Sequence, residues 1–319
     1  MASQHFIARV FKSHFRRFCL PSQSQFNFSL RRVLLRCSAA LLLANPTICF
    51  ADWGRSPVYA ELAYYSKVSL WFATQDIKSP ISIFGHTFLV FHNEEQPESD
   101  SLLVEFTGEA PDFLSGVSAL VASVPGKYSL NYLAEKRRQY DEENRSLWLF
   151  RLNLSENELQ RLRLYLLKSE DIKHPYDFSQ KNCAFYIAEA LAKTSNDLEL
   201  KQKRIFVTPV ATLRWVRSNK MISSATYLPS TQLRAIAEYD ALSDDQKRIT
   251  TNYLNYAQQQ NLSDQHIYNA ISAITEHLIP REGDASKRNY LYSLKRAFPS
   301  SSKPIEIIAD DPSRSMGSA

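Results

Sequence analysis

The stretch Tyr176-Asp-Phe-Ser-Gln-Lys-Asn-Cys-Ala-Phe-Tyr-Ile-Ala-Glu-Ala-Leu191 decides the reading of this chain. Asn182 is a favourable helix N-cap, because its side-chain oxygen can accept from an exposed amide of the first turn. Ala184, Ile187, Ala188 and Leu191 then recur at helical spacing, which predicts a helix with one apolar face from Cys183 onward. A cysteine in a first turn meets unpaired backbone amides and the positive end of the helix dipole, and both favour the thiolate. A structural cysteine would sit mid-helix on the apolar stripe. Cys183 is therefore either buried and inert or kept as a nucleophile, and its position at a helix start brings the second reading level with the first.

The other three cysteines, Cys19, Cys37 and Cys49, lie within the first 51 residues. That segment carries seven Arg or Lys and no Asp or Glu, then an apolar run broken at Pro46, then small residues at Cys49 and Ala51. It reads as a signal peptide over residues 1–51, with an uncleaved anchor as the alternative. Its removal leaves 268 residues with one cysteine, and a thiol alone in an exported protein cannot close an internal disulfide. The remaining 31 basic and 33 acidic residues give a net charge of −2, so the formal +5 belongs to the leader and argues for no nucleic-acid partner. Seven glycines, with no Gly-x-Gly-x-x-Gly or Gly-Lys-Ser/Thr, disfavour dinucleotide and phosphate loops.

A thiol nucleophile needs a base. Of the five histidines beyond the leader, His266 and His277 read as solvated helix residues, His174 as a surface group on a polar loop, and His92 as a strand end. His86 follows Gly85, where the missing β-carbon leaves room for a neighbour, at the start of a strand candidate running to Asn93. The polar turn Glu94–Asp100 joins it to Leu102–Thr107, and a hairpin centred near Pro97 sets Glu105 to Thr107 opposite His86. Glu105, a carboxylate inside an apolar strand, is either the group that orients the imidazole or an edge carboxylate facing water. His86 itself is either the base or a core histidine.

Elsewhere, residues 58–75 are ambiguous between helix and strand, residues 113–124 are weakly helical, and Ser146–Leu154 alternates as a strand. Ser155-Glu-Asn-Glu158 has the form of a capping box before Leu159, Leu162, Leu166 and Leu167. From about Thr231 the pattern is helical only, with starts at Ser243 and Leu262–Asp264 and a third helix over Arg288–Ala297. The expected organisation is a catalytic domain over 52–225, a helical appendage over 226–298 and a disordered tail over 299–319.

Phe84-Gly-His-Thr-Phe-Leu89, Val104-Glu-Phe106, Tyr140-Asp-Glu-Glu-Asn-Arg-Ser-Leu-Trp148, Leu152-Asn-Leu-Ser155 and Asn182-Cys183 together resemble, in order and spacing, the periplasmic domain family of the lipoprotein N-acyltransferase Lnb (the DUF4105 family). The resemblance covers about residues 57–216. It implies an α+β fold, a circularly permuted papain-like core of the NlpC/P60 kind related to lecithin:retinol acyltransferases. It also implies that Cys183 is the nucleophile, His86 the base and Glu105 the orienter, with Asn182 and Tyr176 in support. Family members often carry a polar amide where Glu105 stands and an arginine where Val90 stands. The expected activity is a periplasmic cysteine-dependent acyltransferase or hydrolase that forms a Cys183 thioester with an acyl chain from lipid or lipoprotein, without a cofactor or metal. Peripheral membrane contact goes with that substrate. The alternatives are a cell-wall peptide amidase and a non-catalytic envelope scaffold.

Overall fold

The computed structural model describes residues 60–75, 84–93, 100–109, 123–195, 207–255, 263–299 and 305–314. The leader over 1–51, the turn residues 94–99 and most of the weakly helical segment 113–124 lie outside these residues.

Among the described residues seven strands form one sheet: β1 (Lys67–Ala73), β2 (His86–His92), β3 (Leu102–Gly108), β4 (Val124–Tyr132), β5 (Leu147–Leu152), β6 (His174–Tyr176) and β7 (Ile222–Leu228). Their order is β6-β4-β3-β2-β1-β5-β7, and every neighbouring pair is antiparallel. Eight α-helices complete the α+β architecture among the described residues: α1 (Leu133–Glu142), α2 (Glu156–Ser169), α3 (Cys183–Ala192), α4 (Pro209–Ser218), α5 (Thr231–Asp240), α6 (Asp244–Leu254), α7 (Gln265–Leu278) and α8 (Ala285–Ala297). No helix among the described residues is long and apolar enough to cross a membrane.

Because side chains alternate across a strand, the sheet divides the core in two. Leu70, Phe72, Leu89, Phe91, Val104 and Phe106 face one side, where α2, α3 and α4 contribute Leu162, Ile187 and Leu213. Trp71, Phe88, Val90 and Leu103 face the other, covered by Leu133 and Tyr140 of α1. Central strands buried on both faces read as continuous apolar runs, which is why residues 58–75 lack a clear period. They resolve into a short 3₁₀ turn, Glu61–Tyr64, and β1.

The capping box at Ser155 forms as expected, with its hydroxyl accepting from the Glu158 amide and the Glu158 carboxylate accepting from the Ser155 amide. Ser243 and Gln246 form a second, and Asp264 caps α7. Three expectations change. Val124 opens a strand, not the end of a helix. β7 pairs with β5 through Leu228, so a domain boundary at residue 225 would cut a strand of the main sheet. Residues 305–314 of the tail lie against the body: the Ile305 amide donates to Glu238 at 2.8 Å, and Arg217 pairs with Asp311 at 2.8 Å. The helices beyond β7 build a small core of their own around Tyr253, Ile267, Ile271, Leu294 and Phe298.

Candidate active site

β2 and β3 pair Leu89 with Val104 and Phe91 with Leu102, and by strand alternation His86 and Glu105 lie on the same face of the sheet. His86 Nε2 lies 2.9 Å from Glu105 Oε2. The Glu105 side chain is only 5 % exposed, and an unpaired carboxylate there would carry a heavy desolvation cost. Two more donors answer it. Lys136 Nζ from α1 lies 2.9 Å from Oε2 and 3.1 Å from Oε1, and Asn131 Nδ2 from β4 donates to Oε1 at 3.2 Å.

Cys183 arrives from the opposite face of the sheet. The Asp177 carboxylate accepts from the amides of Ser179 and Gln180, and the Asp177 amide donates to the Lys181 carbonyl, so the loop before α3 is a closed turn. Asn182 then caps α3: Oδ1 accepts from the Phe185 amide at 3.2 Å, while Nδ2 donates to the carbonyls of Phe178 and Val207. This fixes Cys183 as the first residue of the helix. Its sulfur lines the same cleft as His86 and Glu105, near enough to the His86 ring and to the amides of Thr87 and Ala184 for all three to bear on its ionisation.

The electrostatics follow from that arrangement. Burial opposes ionisation of Cys183, but the His86 charge and hydrogen bond and the two amides outweigh it and hold the thiol below its ordinary range. Burial likewise opposes a charged His86. The Cys183 and Glu105 interactions prevail and raise it from 6.5 to about 9. Burial would raise Glu105, yet His86 and Lys136 pull it from 4.5 to about 2. Each of the three shifts favours the charged form: thiolate at Cys183, imidazolium at His86 and carboxylate at Glu105. A cleft of about 300 Å³ opens over these groups, lined by the apolar Phe84, Phe178 and Pro209 and by the polar Lys136, Gln139 and Arg145.

Comparison with known families gives a match to the Lnb N-terminal periplasmic domain over residues 57–219, about half of the chain and the whole segment carrying His86, Glu105 and Cys183. The chain belongs to the Lnb N-terminal periplasmic domain family. No curated protein and no solved structure matches it. The family places this Lnb-type domain on the periplasmic side of the cell envelope.

Other residues of this Lnb-type domain depart from their sequence reading. Of the neighbour or substrate that the missing β-carbon of Gly85 could admit, the structure places a neighbour there, Phe72 with the Ala73 carbonyl. His174 is no surface group: it is strand β6, packed against Phe106 and Tyr186, with Nε2 buried. His277 is buried too, its Nδ1 3.1 Å from the Thr231 hydroxyl, and burial with the nearby Arg281 pushes it down to about 3. His92 Nε2 meets the Ser69 hydroxyl at 2.8 Å, whereas His266 is exposed as expected. Tyr176 lines the cleft and stacks on Phe106, and burial beside Cys183 and Asp177 holds its phenol un-ionised. Among the described residues no group of three or more His, Cys, Asp or Glu could hold a metal ion. Sequence reading missed Asn131 and Lys136, since only the strand and helix that bring them to Glu105 reveal them.

The depressed Glu105 carboxyl sets an acid limit on stability. Its contribution is complete above 4.5 and is lost as pH falls through about 2. Urea midpoints should therefore fall across that window, and Glu105→Gln should remove this part of the fall. An unchanged acid slope in the variant would show that other carboxylates carry it.

Proposed function

We propose that this domain is a cysteine-dependent acyltransferase or hydrolase of the periplasm, with Cys183 as nucleophile, His86 as acid and base, and Glu105 as orienter. The observation that carries this reading is the thiol at the first residue of a capped helix, paired with an imidazole and open to a cleft. The histidine precedes the cysteine in the chain, and a helix N-terminus packs on an antiparallel sheet. Both support a circularly permuted papain-like core.

In the proposed reaction the Cys183 thiolate attacks an ester carbonyl, forming a C–S bond. Amides at the start of α3 stabilise the oxyanion. The tetrahedral intermediate collapses with cleavage of the ester C–O bond, and His86 gives its proton to the leaving oxygen. An amine or water then loses a proton to His86 as it attacks the thioester, and the thiolate is restored. The apolar lining residues suit an acyl chain from lipid or lipoprotein. The polar ones, Gln139 and Arg145 among them, favour a second reading: cleavage of an amide in cell-wall peptide.

Parallel incubations with phospholipid vesicles and with peptidoglycan, each followed by mass measurement of protein and products, separate these readings. An added acyl mass on Cys183 supports acyl transfer, whereas release of peptidoglycan fragments without an adduct supports the amidase. The dyad is tested independently by iodoacetamide. His86→Ala removes the partner that depresses the thiol, so alkylation of Cys183 near neutral pH should slow roughly 10–100-fold. Equal rates in both proteins, or an inert wild-type thiol, would leave the non-catalytic scaffold as the better account.

A further inference from the structure

We propose that Lys136 is a positioning residue of this site: it clamps the Glu105 carboxylate so that Oε2 faces His86, and it balances the carboxylate's charge so that His86 can release its proton. The proposal rests on the function argued above, but its test does not depend on the identity of the substrate. Lys136 projects from α1 and spans both oxygens of Glu105, at 2.9 and 3.1 Å, with a side chain only 17 % exposed. Its Nζ also lies 5.5 Å from the Tyr140 ring centroid, which steadies the ammonium over an aromatic face. Asn131 holds Oε1 from the neighbouring strand.

The charged and titratable groups facing Glu105 are His86 from β2 and Lys136 and Tyr140 from α1, with Cys183 beyond His86 and Glu143 and Arg145 along the cleft. Thiolate, imidazolium, carboxylate and ammonium thus alternate in sign and sum to zero. Such compensation lets charge persist where solvent is scarce. Without Lys136, one negative charge beside His86 is unbalanced, so the imidazolium keeps its proton more tightly and is a poorer acid toward a leaving group. The Tyr140 hydroxyl, buried without a hydrogen-bond partner, then offers the freed carboxylate a competing donor.

The experiment is an NMR titration of ¹³C-labelled histidines in the folded domain, with the His86 resonance assigned through His86→Gln. Lys136→Met should raise the His86 pKa by about one unit, and Lys136→Arg should restore it. Turnover of an activated ester by Lys136→Met should show a lower kcat, a nearly unchanged KM and an alkaline limb displaced upward by the same amount. Lys136→Gln keeps a donor without the charge and gives the same reading should the Met variant fold poorly. An unmoved His86 titration in a folded Met or Gln variant overturns the proposal, as does an Arg variant that behaves like Met. Alkylation of the wild-type thiol is scored separately. An inert Cys183 with a shifting His86 would remove the acyl-transfer reading and leave the role of Lys136 in place.

Discussion

Alanine at position 183 is expected to abolish both the acyl adduct and ester turnover, with a loss of at least ~10³-fold in kcat/KM. Removal of a covalent nucleophile eliminates the step that divides one difficult acyl transfer into two easier ones. The fold should tolerate the change. Cys183 is buried at a helix start whose cap, Asn182, is held by three hydrogen bonds that do not involve the sulfur. His86, by contrast, should report the loss at once, because Cys183 supplies the two leading interactions that raise it. Its pKa should drop from about 9, since burial is then opposed by the Glu105 interactions alone. Intact mass, ester turnover and the histidine titration check this together. An adduct of unchanged mass and yield in Cys183→Ala would place the acyl group elsewhere and sink the assignment.

The second large effect is on stability. Gly85 has φ +85°, and a β-carbon there would lie 2.4 Å from Phe72 Cε2 and 2.6 Å from the Ala73 carbonyl oxygen. An L-residue pays for the left-handed backbone with about 1–3 kcal/mol, and overlap with packed neighbours adds about 1–3 kcal/mol. Gly85→Ala should therefore cost about 2–6 kcal/mol, read as a lowered urea midpoint. The double variant with Phe72→Leu separates the contributions. It should recover only the part due to the ring, since the carbonyl of a central strand cannot step aside. Full recovery would mean that the backbone conformation at Gly85 is not strained for alanine. Because His86 follows directly, the single variant should also slow alkylation of Cys183.

Much of the site was legible because its parts are local. Asn182 and Cys183 announce a helix start within two residues, and a hairpin turning near Pro97 brings Glu105 toward His86 by counting alone. Their catalytic roles are a separate matter and rest on the experiments above. The sheet was only half legible. β2, β3 and β5 carry dense apolar runs, whereas β4 contains Pro125, Gly126, Lys127 and Asn131 and β7 contains Ser223 and Ser224, so neither shows a strand pattern. β6 has three residues and exists only because β4 offers it an edge. Helix α1 buries just Leu133 and Tyr140, so its polar sequence gave no sign that Lys136 turns inward. His277 was hidden for the converse reason. Its helix periodicity was clear, but which face meets α5 depends on tertiary packing, and that packing buries the ring.

The hairpin that carries His86 and Glu105 occupies the third and fourth places in a sheet of seven strands. Its amides cannot be released by fraying at either edge, so hydrogen exchange there should be limited by opening of the sheet as a whole. The thiol shares that fate. In an unfolded chain Cys183 and His86 are 97 positions apart and the sulfur has the acidity of a simple thiol, mostly protonated at neutral pH. On the proposed function the thiol stays chemically quiet until the central strands close, and the rate of its labelling becomes a clock for folding.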